Sequence, residues 1–229
     1  MIEKVREHVC QLLGEDHSGH GMEHIDRVFH LSLKFAEWEK ADKDIVSLIA
    51  LLHDVDDYKL FGMGYAKHLV NARKIMDDCG VDKSIQDQVC LAISNIGYRK
   101  RLKGCIPTTI EGKVVSDADM CDALGAHGIL RDYEYVINYG NPFFDKNVFP
   151  FEGRTQDKSL EKCADSAICH MFDKILKLKN LMLTESGKKE AVSRHQFVVD
   201  FLFHFFDEED VPEWTEYLKT YLHAMDGDK

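Results

Sequence analysis

Ile45-Val46-Ser47-Leu48-Ile49-Ala50-Leu51-Leu52-His53-Asp54 is the stretch on which the reading of this chain turns. Seven of its first eight residues are aliphatic, so the run reads as a helix apolar nearly all round and therefore buried. It falls well short of the ~20 residues needed to cross a bilayer. It ends on an imidazole and a carboxylate, groups seldom buried without a partner or a metal. His24 lies upstream and Asp119 downstream. Two imidazoles and two carboxylates, in the order His…His-Asp…Asp, suit a hard or borderline divalent cation that keeps positions open for water.

Outward from this run, apolar residues recur at helical spacing through most of the sequence. Ile2, Val5, Val9, Leu12 and Leu13 form one stripe, and Ile25, Val28, Phe29, Phe35 and Ala36 a second. Residues of about 65–79 and 84–96 read as a pair of amphipathic helices separated by Cys79-Gly80-Val81-Asp82. Leu160, Cys163, Ala164, Ala167, Ile168, Met171, Phe172, Ile175 and Leu176 predict one continuous helix of more than four turns. Val198, Phe201, Leu202, Phe205 and Phe206 continue the pattern. A last helix carries Pro212 in its first turn and Trp214, Tyr217, Leu218, Tyr221, Leu222 and Met225 on one face. No period-two alternation or Asn-Gly hairpin signal suggests a strand. The expected fold class is all-α. Residues 1–229 are read as one domain, with a metal-site core over about 1–140 and a C-terminal helical layer over about 159–229. Between them, Tyr139 to Asp157 gathers Gly140, Asn141, Pro142, Pro150 and Gly153 with four phenylalanines. It reads equally as a pocket wall or lid and as a surface loop held by its own aromatic residues.

The formal charge of −11 argues against a nucleic-acid backbone as partner, since such binding rests on clustered Lys and Arg. It does not oppose a small anionic substrate, because a metal and a few basic groups make a local positive site on an acidic protein. The seven cysteines contain no Cys-x-x-Cys pair, and the charged N-terminus Met1-Ile2-Glu3-Lys4-Val5-Arg6-Glu7 has no export-signal core. Reduced thiols in a cytoplasmic protein, with no membrane partner, are the expectation.

Three ordered segments carry a resemblance. They are His20-Gly21-Met22-Glu23-His24-Ile25-Asp26-Arg27-Val28, Leu51-Leu52-His53-Asp54-Val55-Asp56-Asp57-Tyr58-Lys59, and Ser116-Asp117-Ala118-Asp119-Met120-Cys121-Asp122-Ala123-Leu124-Gly125-Ala126. With them the chain resembles the HD-domain superfamily of metal-dependent phosphohydrolases, and most of all a bacterial subgroup of small stand-alone hydrolases. Gly128-Ile129-Leu130-Arg131, Lys174 to Asn180 and Arg194-His195 extend the likeness over most of the chain.

The resemblance implies that His24, His53, Asp54 and Asp119 ligate a metal, Asp119 being preferred to Asp117 because Ala118-Asp119 matches the family's Ala-Asp. Asp117 and Asp122 then stand where they can orient a ligand. Asp57 matches the acidic position after the His-Asp pair and is expected to act as general acid or base, with Glu23 second. Lys59 is expected to bind phosphate, followed by Arg27, which lies at i+3 from His24 and has a neighbouring carboxylate as its alternative partner. Arg131 matches the Gly-Ile-x-Arg element. The basic run Arg99-Lys100-Arg101-Leu102-Lys103 reads more as a solvated charge run than as a phosphate loop. His20 is intermediate, preceding His24 by four positions. Met120 and Cys121 depart from the family's Arg and Leu, and Gly21 from a common Asp.

The implied activity is hydrolysis of phosphate or pyrophosphate linkages of nucleotides, with metal-activated water attacking phosphorus. The cofactor expected is a divalent metal, Mn²⁺ first, with Mg²⁺, Co²⁺, Ni²⁺ and Fe²⁺ also suited. The partner expected is a small anionic, phosphate-containing substrate, a nucleotide. The alternatives are a non-catalytic HD-fold module binding metal or nucleotide, and a di-iron oxygenase. The latter is disfavoured because only His68 lies between Asp54 and Asp119 to serve a second iron.

Overall fold

Asp42 starts the decisive helix. Its side chain accepts hydrogen bonds from the backbone N–H groups of Asp44 and Ile45, satisfying donors that a helix N-terminus leaves orphaned. In the computed structural model, which describes residues 1–16, 21–150 and 166–227, this helix spans Lys43–Leu52 (α3), and every residue from Val46 to Leu52 is buried. A helix buried on all sides must be surrounded. Its neighbours are α1 (Ile2–Leu13), α2 (Met22–Glu39), α7 (Lys83–Ile93) and α9 (Ile110–Asp122). Each fully buried Leu or Ile here contributes about 1.5–3 kcal/mol relative to exposure, which fixes the layer that carries the site. Helix α9 is buried along most of its length although it holds Ser116, Asp117, Asp119 and Asp122. That inventory of carboxylates within a core needs compensation, and most of the chemistry described below is that compensation.

The Val55–Asp57 turn after α3 is pinned by hydrogen bonds. Buried Asp56 accepts from the backbone N–H of Asn71 at 2.8 Å and Ala72 at 2.9 Å, and Asn71 Nδ2 donates to the Val55 carbonyl. Two short helices, α4 (Tyr58–Phe61) and α5 (Met63–His68), lead into α6 (Val70–Asp78). The helix expected over about 65–79 is thus broken at Leu69, whose φ of 50° lies in the left-handed region. The break gives α6 a fresh N-terminus under the Asp56 carboxylate, an arrangement that side-chain periodicity does not encode. The companion helix α7 lies where the pattern placed it. Helices α8 (Tyr98–Leu102) and α10 (Gly125–Asn138) flank α9.

The C-terminal part is α11 (Ala167–Asp173), a 3-10 helix over Ile175–Leu181, α12 (Glu185–Glu208) and α13 (Pro212–Gly227). Residues 160–165 of the long helix predicted there lie outside the described residues. Its described part stops at Lys174, where φ −133° and ψ −58° leave the helical region. The 3-10 helix that follows keeps Ile175 and Leu178 buried on one side, and over seven residues a period of three passes for one of 3.6. Helix α12 packs on α2, α9 and α10. Asp117 secures it from within α9, accepting from the backbone N–H of Leu183 and Thr184 and from Thr184 Oγ1 at 2.7–3.0 Å.

Of the irregular segment from Tyr139, residues 139–150 are described and 151–157 are not. Phe143 and Phe144 pack on Phe205, and Phe149 stacks on buried Trp214 with centroids 4.2 Å apart. Trp214 Nε1 donates to the Lys146 carbonyl. The described half is therefore an aromatic strap on the C-terminal layer. No described helix is long and apolar enough to cross a membrane.

Candidate metal centre

The two histidines reach one point from different helices. His24 sits in the first turn and a half of α2 and His53 closes α3, and both side chains are almost fully buried, at 2% and 1% exposure. Their Nε2 atoms lie 3.2 Å apart. Asp54 Oδ2 lies 3.5 Å from His24 Nε2 and 3.7 Å from His53 Nε2. Asp119 Oδ1, from α9, lies 3.6 and 4.0 Å from the same nitrogens. The ligand atoms of His24, His53 and Asp119 all fall within 4.8 Å of one another. All four expected ligands are brought together, and the two half-buried carboxylates form the open side of the group.

The far nitrogens decide what the near ones can do. His24 Nδ1 is 2.8 Å from Asp122 Oδ2, and His53 Nδ1 is 2.7 Å from the Ala50 carbonyl. Both partners only accept, so both Nδ1 atoms must carry hydrogen. In neutral rings both Nε2 atoms then present lone pairs, aimed at each other across 3.2 Å. Two lone pairs at that distance repel unless a cation lies between them. In histidines that ligate metals, an anchored Nδ1–H of this kind sets the tautomer and the ring direction. The donor set therefore fits a divalent metal, and His24, His53 and Asp119 can hold one. For His24, burial and the Arg131 charge oppose protonation, while Asp122 and Asp54 favour it and leave its affinity for a proton above the ordinary imidazole value. A positive charge is wanted at this spot.

Asp122 is the centre of the supporting network. Besides His24 it accepts from Arg27 Nε at 2.7 Å, Arg27 Nη2 at 3.0 Å and Arg131 Nη1 at 2.7 Å. Burial opposes ionisation, yet His24, Arg27 and Arg131 hold its carboxyl well below the ordinary carboxylate range. Both arginines proposed from sequence as phosphate ligands thus spend donors on this carboxylate. For Arg27 that is the neighbouring-carboxylate partner already weighed, but the carboxylate lies 95 residues away. Asp117, the other supporting candidate, instead holds α12.

Asp57 caps α4, accepting from the Lys59 backbone N–H at 2.8 Å, and is half-buried. Glu23 is exposed in the first turn of α2. The Lys59 ammonium lies over the Tyr135 ring, 5.4 Å from its centroid. Lys100, read as part of a solvated run, is half-buried, and its Nζ donates to the Ile93 carbonyl at 2.9 Å. Burial lowers its pKa against the opposing pull of Asp54, Asp57 and Asp119. Lys174 also comes to this side of the molecule and was not singled out by sequence spacing. His68 is exposed on α5, and His20 lies outside the described residues.

A family model for the HD domain matches residues 21–124, the span that contains all four expected ligands and Asp122. YpgQ of Bacillus subtilis (strain 168) is 33% identical over 214 residues, covering 92% of this chain and 93% of its own. A crystal structure from Lactobacillus plantarum superposes with a TM-score of 0.76 and 30% identity over 94% of this chain and 97% of its own. One of an HD-superfamily hydrolase from Bacillus thuringiensis gives 0.70 and 32% over 91% and 96%. YpgQ has also been crystallised in complex with ADP, and that structure matches at a TM-score of 0.67 and 28% identity over 90% and 94%. This chain belongs to the HD-domain superfamily and has the fold of its hydrolases.

Proposed function

We propose that the protein is a divalent-metal-dependent phosphohydrolase that cuts phosphate or pyrophosphate linkages of nucleotides. The observation that carries this reading is the pair of Nε2 lone pairs turned on one point, with both Nδ1–H groups committed behind them and two carboxylates beside them. His24, His53, Asp54 and Asp119 would hold the metal, with Mn²⁺ the first choice for mixed imidazole and carboxylate donors. When bound, such a cation supplies an activated water and polarises a phosphoryl oxygen.

The chain's own residues do the rest. Asp122 keeps the His24 proton on Nδ1, and the Ala50 carbonyl does the same for His53. Arg27 and Arg131 act through Asp122, keeping it ionised and still. Lys59 offers an ammonium to the anionic substrate, and Asp57, two residues before it, takes the role of general acid or base, with Glu23 second. Binding of ADP by YpgQ supports a nucleotide as substrate.

Product analysis with Mn²⁺ and a panel of nucleotides tests the reading, run beside a His53→Ala, Asp54→Ala variant. Release of phosphate from monophosphates defines a nucleotidase, and release of pyrophosphate from triphosphates a pyrophosphohydrolase. Either must vanish in the variant. A wild-type protein that turns over no nucleotide with any of the divalent metals refutes it.

A further inference from the structure

Lys174 stands in a run, Lys174, Lys177 and Lys179, that as sequence reads like an ordinary solvated basic stripe. The fold separates its members. Lys177 is exposed, whereas Lys174, at the point where α11 ends, is half-buried, with its Nζ 5.4 Å from the centroid of the Tyr98 ring. Among the described residues no carboxylate pairs with it within 4 Å, and its ammonium rests on the aromatic face of Tyr98. The charges acting on it come from Lys59 of α4, Arg131 and Asp132 of α10, and Asp119 of the metal group. Asp132 is already engaged by His170, which lies four residues before Lys174. Asp119 belongs with the cation. Among the described residues, Lys174 is thus a half-buried ammonium acted on by two cations, with no carboxylate paired to it.

That arrangement is unfavourable as it stands. Burial first, then Lys59 and Arg131, push its pKa down to about 8, against the pull of Asp119 and Asp132. Like charges gathered at low dielectric gain most when an anion arrives among them. Such locally unfavourable electrostatics are retained at sites whose ligand compensates them.

We propose that Lys174 is a substrate-binding residue: its ammonium, seated on the Tyr98 ring near Lys59 and Arg131, binds the phosphate groups of the substrate. This rests on the phosphohydrolase reading and extends it to a residue 120 positions beyond the His-Asp pair.

The test measures ADP binding by calorimetry on the full-length protein with Mn²⁺, comparing wild type, Lys174→Gln and Lys174→Arg, with thermal melts of each in the absence of ADP. Lys174→Gln is expected to weaken ADP about 10- to 100-fold, the loss of one charge-assisted contact. It should melt no lower than wild type, since it removes a crowded charge. Lys174→Arg should keep most of the affinity. Wild-type affinity should also fall as pH rises through about 8, where the ammonium loses its proton, and Lys174→Arg should lack that fall because guanidinium stays charged. A Lys174→Gln protein that binds ADP as tightly as wild type overturns the proposal. So does a pH profile identical in wild type and Lys174→Arg, a comparison that holds even if the Gln variant does not fold. If wild type itself neither binds ADP nor turns over any nucleotide, it is the phosphohydrolase reading that has failed, and this inference falls with it.

Discussion

Asp122→Asn is the perturbation that asks most of this structure. The carboxylate is 2% exposed and accepts four hydrogen bonds, one from His24, two from Arg27 and one from Arg131. Asn keeps the volume but loses the charge that Arg27 and Arg131 share. Breaking a buried ion pair from one side costs about 3–5 kcal/mol. Because Arg27 and Arg131 are 25% and 21% exposed and can rehydrate in part, the lower end, about 3 kcal/mol, is the expectation. The second effect is on tautomer. An Asn amide can offer N–H to His24 Nδ1, which moves the ring proton to Nε2 and removes a metal ligand. Losing the carboxylate that orients a ligating imidazole weakens metal binding about 10- to 100-fold. Mn²⁺ titration calorimetry and melts with and without Mn²⁺ measure both effects, with Arg27→Met as the control that disturbs the ion pair and spares the imidazole. The pH dependence follows from the sign of the shift. Asp122 is held below its unfolded value, so its stabilisation is fully present above pH about 4 and fades only as pH falls further. The carboxylate's own share of the stability gap between wild type and Asp122→Asn should therefore hold down to about pH 5 and shrink as pH falls below about 4, while the raised proton affinity of His24 widens the gap as pH falls through about 6.5. An Asn variant that binds Mn²⁺ within about 2-fold of wild type and melts at the same temperature would refute the account of Asp122 as the group that orients His24.

The other expectations can be checked separately. Gly187→Ala places a Cβ 2.3 Å from Asp117 Oδ2 and should destabilise by about 1–3 kcal/mol, read as a lower midpoint in denaturant with metal affinity retained. Asp117→Asn should also destabilise, by about 1–3 kcal/mol, through the donors of Leu183 and Thr184, again without a direct effect on metal binding. The Cys121 thiol, pushed up to about 12 by burial, should resist alkylation at pH about 8, while exposed Cys10 and Cys105 react; mass mapping after iodoacetamide decides it. Trp214→Ala should cost about 3–5 kcal/mol by thermal or chemical melts, because it removes the fully buried indole on which Phe149 stacks.

Much of this was written in the chain itself. A run of eight residues with seven aliphatic needs burial on every side, so Ile45 to Leu52 had to be a central helix, and the His53-Asp54 pair had to end inside. Helical periodicity placed α2, α7, α12 and α13, because amphipathic spacing is local and packing rewards it directly. Residue type and order drew attention to the four expected ligands, and the resemblance chose Asp119 over Asp117. What stayed hidden depends on contacts between residues far apart. Asp122 was expected, like Asp117, to orient a ligand, but only the fold tells the two apart, bringing Arg27 from 95 positions away and His24 from 98 to Asp122. The breaks at Leu69 and Lys174 follow from where Asp56 caps the next helix and where a 3-10 turn buries Ile175 and Leu178. Lys174 and Lys177 share a residue type and a neighbourhood in sequence, and tertiary burial alone separates them. Sequence determined the helical segments and the candidate groups they carry, since those follow from residue type and local period. The tertiary structure decided which of them face one another, because charge, tautomer and proton affinity are set by neighbours that the chain order does not name.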